Sequence, residues 1–165
     1  MMKKMTTTLY SKNNTTQVAT GVEICEYTKM SEGSPVEGQV CLRFFVSNNS
    51  QDQIKFVCLP WEAFDLYVKI NKVARSVDPI KEKSEVHKWQ GKAEGKPVEM
   101  VTSVQIEKWI SKDKSKSGYA ITCSRSMGGK ANSYNVPIGG INKLLFVGEF
   151  LRSLSVRQSW EIMAG

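Results

Sequence analysis

In the run QVCLRFFV, Arg43 and Phe45 stand two residues apart, so on a strand a guanidinium and a flat ring share one face. Lys55, in the apolar run IKFVCL, is placed to join them from a neighbouring strand. That combination suits one chemistry: cations track a phosphate backbone while aromatic faces stack on bases, each stack contributing about 1–3 kcal/mol. The alternative is that Phe45 is core and Arg43 merely solvated. Further on, Lys108 and Trp109 close a β-compatible run, and a turn with Lys112, Lys114 and Lys116 follows. Basic turns are commonly just solvated, and Trp109 beside Lys108 is what favours a contact role. Arg125, Lys130 and Tyr134 flank Gly128-Gly129, where glycines either admit a phosphate close to the backbone or simply close a hairpin.

Catalytic chemistry has fewer candidates. His87 is the only histidine, and there is no Ser-His-Asp set, phosphate loop or cluster of paired carboxylates. Asp113 lies among lysines and Asp78 in a linker. The four cysteines, Cys25, Cys41, Cys58 and Cys123, include no CxxC, which argues against zinc. Cys25, Cys41 and Cys58 sit in apolar runs as small reduced hydrophobes. The reading is a chain that is not an enzyme and holds no metal or cofactor.

At 165 residues, 41% hydrophobic and 24% charged, the chain suits one compact domain or two small halves sharing a core. No apolar run reaches the roughly 18 residues of a membrane span. The start, MMKKMTTTLYSKNNTTQ, has no apolar core and is not a secretory signal. An intracellular, non-secreted protein is expected, with residues 1–17 as a basic flexible tail. Net charge of +7 favours a polyanionic partner.

The elements that must position these residues follow from spacing. GVEICEY is a strand, TKMSEGSPVEG a turn or loop, and QVCLRFFV a strand with Val40, Leu42, Phe44 and Val46 on one face. IKFVCL is a strand that Pro60 ends, since proline lacks an N–H but suits a helix's first turn. Ala63, Leu66, Tyr67, Ile70, Val73 and Ala74 then fall on one helical face, and the helix should stop near Arg75 or Ser76, before Asp78-Pro79. Trp61 and Tyr67 read as packing residues. Residues 78–97 form a charged connector with room for a short strand at 86–90. The pattern then restarts: VEMVTSVQIEKWI, GYAITCSR and NSYNV as strands, Pro137 as the break, and a helix through Ile141, Leu144, Leu145, Val147, Leu151 and Leu154. Trp160 is expected to dock the C-terminal segment. The fold class is α+β: two antiparallel ββββα units, 18–77 and 98–160, packed as a pseudo-dimer with their helices on one face of the sheets.

A repeated ββββα plan with an aromatic at the helix start resembles a set of single-stranded nucleic-acid-binding folds. These are the Whirly family, the guide-RNA-binding proteins of kinetoplastid mitochondria, the PUR repeat proteins and the positive-cofactor-four transcriptional coactivators. IKFVCLPWEAFDLYVKI is similar to the last group's final strand and tryptophan-bearing helix start. The resemblance covers most of residues 20–156 as architecture, but the Whirly lysine-glycine-lysine motif has no clear counterpart, the nearest stretch, Gly129-Lys130-Ala131, being too short. It implies binding of single-stranded DNA or RNA across an exposed sheet, with little sequence preference. A homo-oligomer is expected. The reading requires Arg43, Lys55, Lys108 and Arg125 to line one continuous face with aromatics. The alternative is a structural or protein-interaction module, such as a virion or assembly component, over which the cations scatter.

Overall fold

Three residue pairs with positive φ set the hairpins: Glu32-Gly33 (49° and 80°), Glu94-Gly95 (52° and 76°) and Gly128-Gly129 (57° and 88°). Two such residues in succession twist a two-residue turn to match its strands, so each strand runs straight into the next. The loop expected over TKMSEGSPVEG therefore shrinks to Glu32-Gly33. The computed structural model describes residues 6–12 and 18–163.

The first sheet has the order β1 (Thr6–Lys12), β2 (Ala19–Ser31), β3 (Ser34–Val46), β4 (Asn49–Cys58), all antiparallel, and leads into α1 (Pro60–Arg75). The second contains β5 (Ile80–Lys83), β6 (His87–Ala93), β7 (Lys96–Ile110), β8 (Ser117–Met127) and β9 (Lys130–Ile138), and leads into α2 (Ile141–Arg157). β5 and β6 pair with successive stretches of β7, so they act as one interrupted strand. At the interruption, Ser84 keeps the ladder closed: its N–H donates to the Val104 carbonyl at 2.8 Å, and its hydroxyl accepts from the Val104 N–H at 2.9 Å. Both units thus follow the expected ββββα plan.

Three expectations change. Thr6–Lys12, assigned to a flexible tail, is β1; residues 1–5 and 13–17 lie outside the described residues. The connector 78–97 supplies β5, which was not expected, as well as β6, which lies where a short strand was allowed at 86–90 and runs on to Ala93. Pro137 does not break its strand but sits inside β9, at the end of the sheet's strand order, where a missing N–H is tolerated.

One core joins everything. Val22, Ile24, Leu42, Phe44 and Phe56 of the first sheet, Val104, Ile106, Ile121 and Val136 of the second, and Leu66, Ile70, Leu144 and Leu151 of the helices form a continuous buried cluster. The helices do not stay over their own sheets: α1 lies against β3 but also β5 and β7, and α2 lies against β9 but also β2 and β3. Trp61, expected in packing, is 58% exposed, because it points off the helix face that Leu66 and Ile70 bury. No helix among the described residues is long and apolar enough to cross a membrane.

The start of α1 is fastened by Glu62, whose carboxylate accepts the Leu59 N–H at 2.7 Å and meets His87 Nε2 at 2.7 Å. The imidazole stacks on Phe56, with ring centres 4.3 Å apart. Glu62→Ala removes the cap and leaves His87 without its carboxylate. It is expected to lower stability by about 1–2 kcal/mol in urea unfolding.

The C-terminal segment docks on β3. Gly38 N–H donates to the Trp160 carbonyl at 2.9 Å, and Ile162 N–H to the Val36 carbonyl at 2.8 Å. A Cβ on Gly38 would stand 2.2 Å from the Gln158 carbonyl oxygen and 2.6 Å from the Trp160 indole nitrogen. Gly38→Ala should therefore expel this segment, at a cost of about 1–3 kcal/mol, read as a changed Trp160 emission and faster proteolysis after Arg157.

Candidate functional site

Odd-numbered residues of β3 face away from the core, and the register aligns them with their neighbours. One cross-strand row holds Tyr10, Gly21, Phe45 and Gln53; the next holds Thr8, Glu23, Arg43 and Lys55. Gly21 admits the Phe45 ring, since a Cβ there would stand 2.6 Å from that ring and 2.7 Å from the Leu9 carbonyl oxygen. Tyr10 meets Phe45 edge-on at 5.6 Å, and the Arg43 guanidinium lies 4.5 Å over the same ring. Arg43 also donates to both Glu23 carboxylate oxygens, at 3.4 and 3.3 Å, and to Gln53 Oε1 at 3.2 Å. Its charge is therefore partly answered, while Lys55 stays exposed. Arg43, Phe45 and Lys55 come together as the strand spacing suggests. Tyr10, 58% exposed, adds a ring from a stretch whose threonines read as tail.

Around the free edge of β4 the surface turns into a groove of about 260 Å³ between β4 and the β8–β9 hairpin. Gln51, Gln53, Arg125 and Lys130 line it, with Met100 and Met127 as its apolar side. Arg125 spans the two sheets: Nε donates to Thr102 Oγ1 at 3.0 Å and Nη2 to the Lys55 carbonyl at 3.2 Å. Its guanidinium lies 5.0 Å over Trp89, and burial pulls its pKa down from the usual arginine value. Trp89 was not among the expected residues, because it stands in the segment read as connector. Gln53 belongs to both regions, accepting from Arg43 on one side and lining the groove on the other.

Tyr134 lines the same groove but is only 6% exposed, so its ring belongs to the core. Lys108 faces inward, and its ammonium donates to the Ser76 carbonyl at 2.6 Å, closing the end of α1. Neither offers a free group to a ligand, and the single continuous face of Arg43, Lys55, Lys108 and Arg125 is not formed: Lys108 and Arg125 extend from the inner face of the second sheet. Trp109 points the opposite way, onto the outer face of the second sheet, lying over Gly118 and apart from the other candidates. The lysine turn after it organises itself. Hydrogen bonds from Ser111 and then Ser115 hold the Asp113 carboxyl down to about 2, and Lys112, Lys114 and Lys116 are exposed around it. Among the described residues, no group of three or more His, Cys, Asp or Glu could hold a metal ion.

No protein-family model and no curated protein sequence matches the chain. Solved structures do. WHY1 from Arabidopsis thaliana is similar at 12% identity and a TM-score of 0.56, over 96% of this chain and 87% of that one. The plant transcriptional regulator PBF-2 is similar at 11% identity and a TM-score of 0.50, over 96% and 84%. At such identities the likeness carries the fold, and the fold is Whirly-like.

Proposed function

We propose that this Whirly-like chain binds single-stranded DNA or RNA, with little sequence preference, along a path that bends around β4. The path runs from Tyr10, Phe45 and Arg43 over Lys55 and into the groove of Arg125 and Lys130, with Trp89 under the Arg125 guanidinium. One observation supports the reading: Arg125 donates to the Lys55 carbonyl at 3.2 Å, which sets the Arg125–Trp89 pair of the second unit against the strand that carries Lys55. Half-exposed rings beside cations match an extended strand whose bases are free to stack, and a duplex keeps its bases in the helix. No step of this reading requires catalysis. Trp109 is kept as a separate, second contact on the outer face of the other sheet.

A homo-oligomer is part of the proposal. Trp61 and Phe64 of α1 share a shallow hollow with Val156 of α2, and all three side chains are exposed. An apolar patch of this kind is normally covered by a partner, and a second copy is the simplest one. The same patch is what supports the rival reading, a protein-interaction module.

The test is fluorescence anisotropy with an oligo-dT of about thirty nucleotides, against duplex of equal length, over a salt series. Micromolar or tighter single-strand binding, weaker duplex binding and a steep salt slope are expected. Absence of binding at low salt would remove the nucleic-acid reading and leave the interaction module.

A further inference from the structure

Cys25 and Cys41 stand directly opposite each other across β2 and β3. They share the outward parity of Glu23 and Arg43 and lie one row along from them. Directly opposed residues in an antiparallel pair have Cα atoms about 4.5–5.5 Å apart. That is inside the roughly 4.4–6.8 Å that a disulfide requires. The two thiols are in hydrogen-bond contact; that contact, then burial, then the neighbouring sulfur push the Cys41 thiol far above its ordinary value, with Lys55 opposing. Cys25 is half-buried and reachable, whereas Cys41 is buried. The other two cysteines differ. Cys58 faces Val40, and Cys123 lies between Val104 and Tyr134, so neither has a sulfur opposite. Burial raises both, Cys123 to about 12.

We propose that Cys25 and Cys41 form a reversible thiol–disulfide couple, a modification site in the outer face of the first sheet, with a glutathione-class disulfide as its oxidant. Cys25 loses its proton to solvent, and its thiolate attacks one sulfur of the oxidant. The oxidant's S–S bond breaks and one glutathione thiolate leaves. Cys41 then gives up its proton and attacks the Cys25 sulfur of the mixed disulfide, releasing the second glutathione. Two protein thiols are oxidised and one glutathione disulfide is reduced to two glutathiones. Only Cys25 must be reached from solvent, because the second attack is intramolecular and the register already aligns the sulfurs. The couple does not depend on nucleic-acid binding.

The test equilibrates the full-length chain, without air, in glutathione buffers from fully reduced to fully oxidised, then alkylates and weighs it. Two of the four thiols should disappear together in one two-electron transition, with peptide mapping placing the link between Cys25 and Cys41. Cys41→Ser should stop at a glutathione adduct on Cys25, and Cys58→Ser should behave as the parent chain. Four alkylated thiols at every poise, a link to Cys58 or Cys123, or a link between two chains would each overturn the proposal.

Discussion

Replacing Arg157 with alanine is expected to lower the unfolding free energy by about 3 kcal/mol in urea titration. The reason lies in Glu26, which has the core-facing parity of Val22 and Ile24 on β2 and leaves only 4% of its side chain exposed. Its Oε1 stands 2.8 Å from Arg157 Nη2, an ion pair by distance without an aligned hydrogen bond. A buried carboxylate that loses its cation keeps its desolvation cost and loses the compensating attraction, which typically costs about 3–5 kcal/mol. The lower end applies here because the Arg157 side chain is 51% exposed and water can partly replace it. Glu26→Gln in the Arg157→Ala background should recover most of the loss, since an amide has no charge to strand. If Arg157→Ala unfolds at the parent midpoint, the pair contributes nothing and the polar hold on the C-terminal end of α2 rests on Gln158, whose amide donates to the Tyr27 and Gln39 carbonyls at 2.7 and 2.9 Å.

If the proposed surface binds single strands, removing its two rings with Tyr10→Ala and Phe45→Ala should weaken that binding by about 1–3 kcal/mol each, roughly 5- to 150-fold. Duplex binding should change less. Lysine changes are expected to act differently. Lys55→Ala and Lys130→Ala, which among the described residues meet no carboxylate within ion-pair distance, should each flatten the salt slope by about 0.7. Arg43→Ala is a poorer probe, because it leaves the Glu23 carboxylate without its partner and disturbs the Phe45 ring. Parent-like affinity in a folded Phe45→Ala chain would remove the stacking surface from the proposal. An unchanged salt slope in the Lys130 variant would remove the groove, and in the Lys55 variant the outer face as a phosphate contact.

What could be read from residues alone depended on how local the signal was. α1 was legible almost to the residue, from Pro60 at its start to Arg75 at its end, because a proline and an apolar stripe are short-range signals. The faces of β3 were legible because its period of two is unbroken, and so Arg43 and Phe45 share a face as their spacing suggests. In the second unit the same reasoning paired Lys108 with Trp109, though neighbours on a strand must point apart; one closes α1 and the other lies on the outer sheet face. HKWQGKA and TTTLYSK carry too few apolar residues to show a period, which is why Trp89 and Tyr10 went unseen. Their strands form only because β7 and β2 offer long free edges. That information is tertiary, and so is the meeting of Arg125 with β4.

Each helix crossing to the other unit's sheet has a consequence for how the molecule can be divided. Two chains cut within 76–79, between α1 and β5, would each carry an apolar helix whose second docking surface is on the other piece. Expressed separately, the fragments should remain unstructured or aggregate; mixed, they should reassemble into the native form by complementation, as halves of a split reporter do. The junction is thus a place where the covalent bond can be dispensed with while neither fragment can.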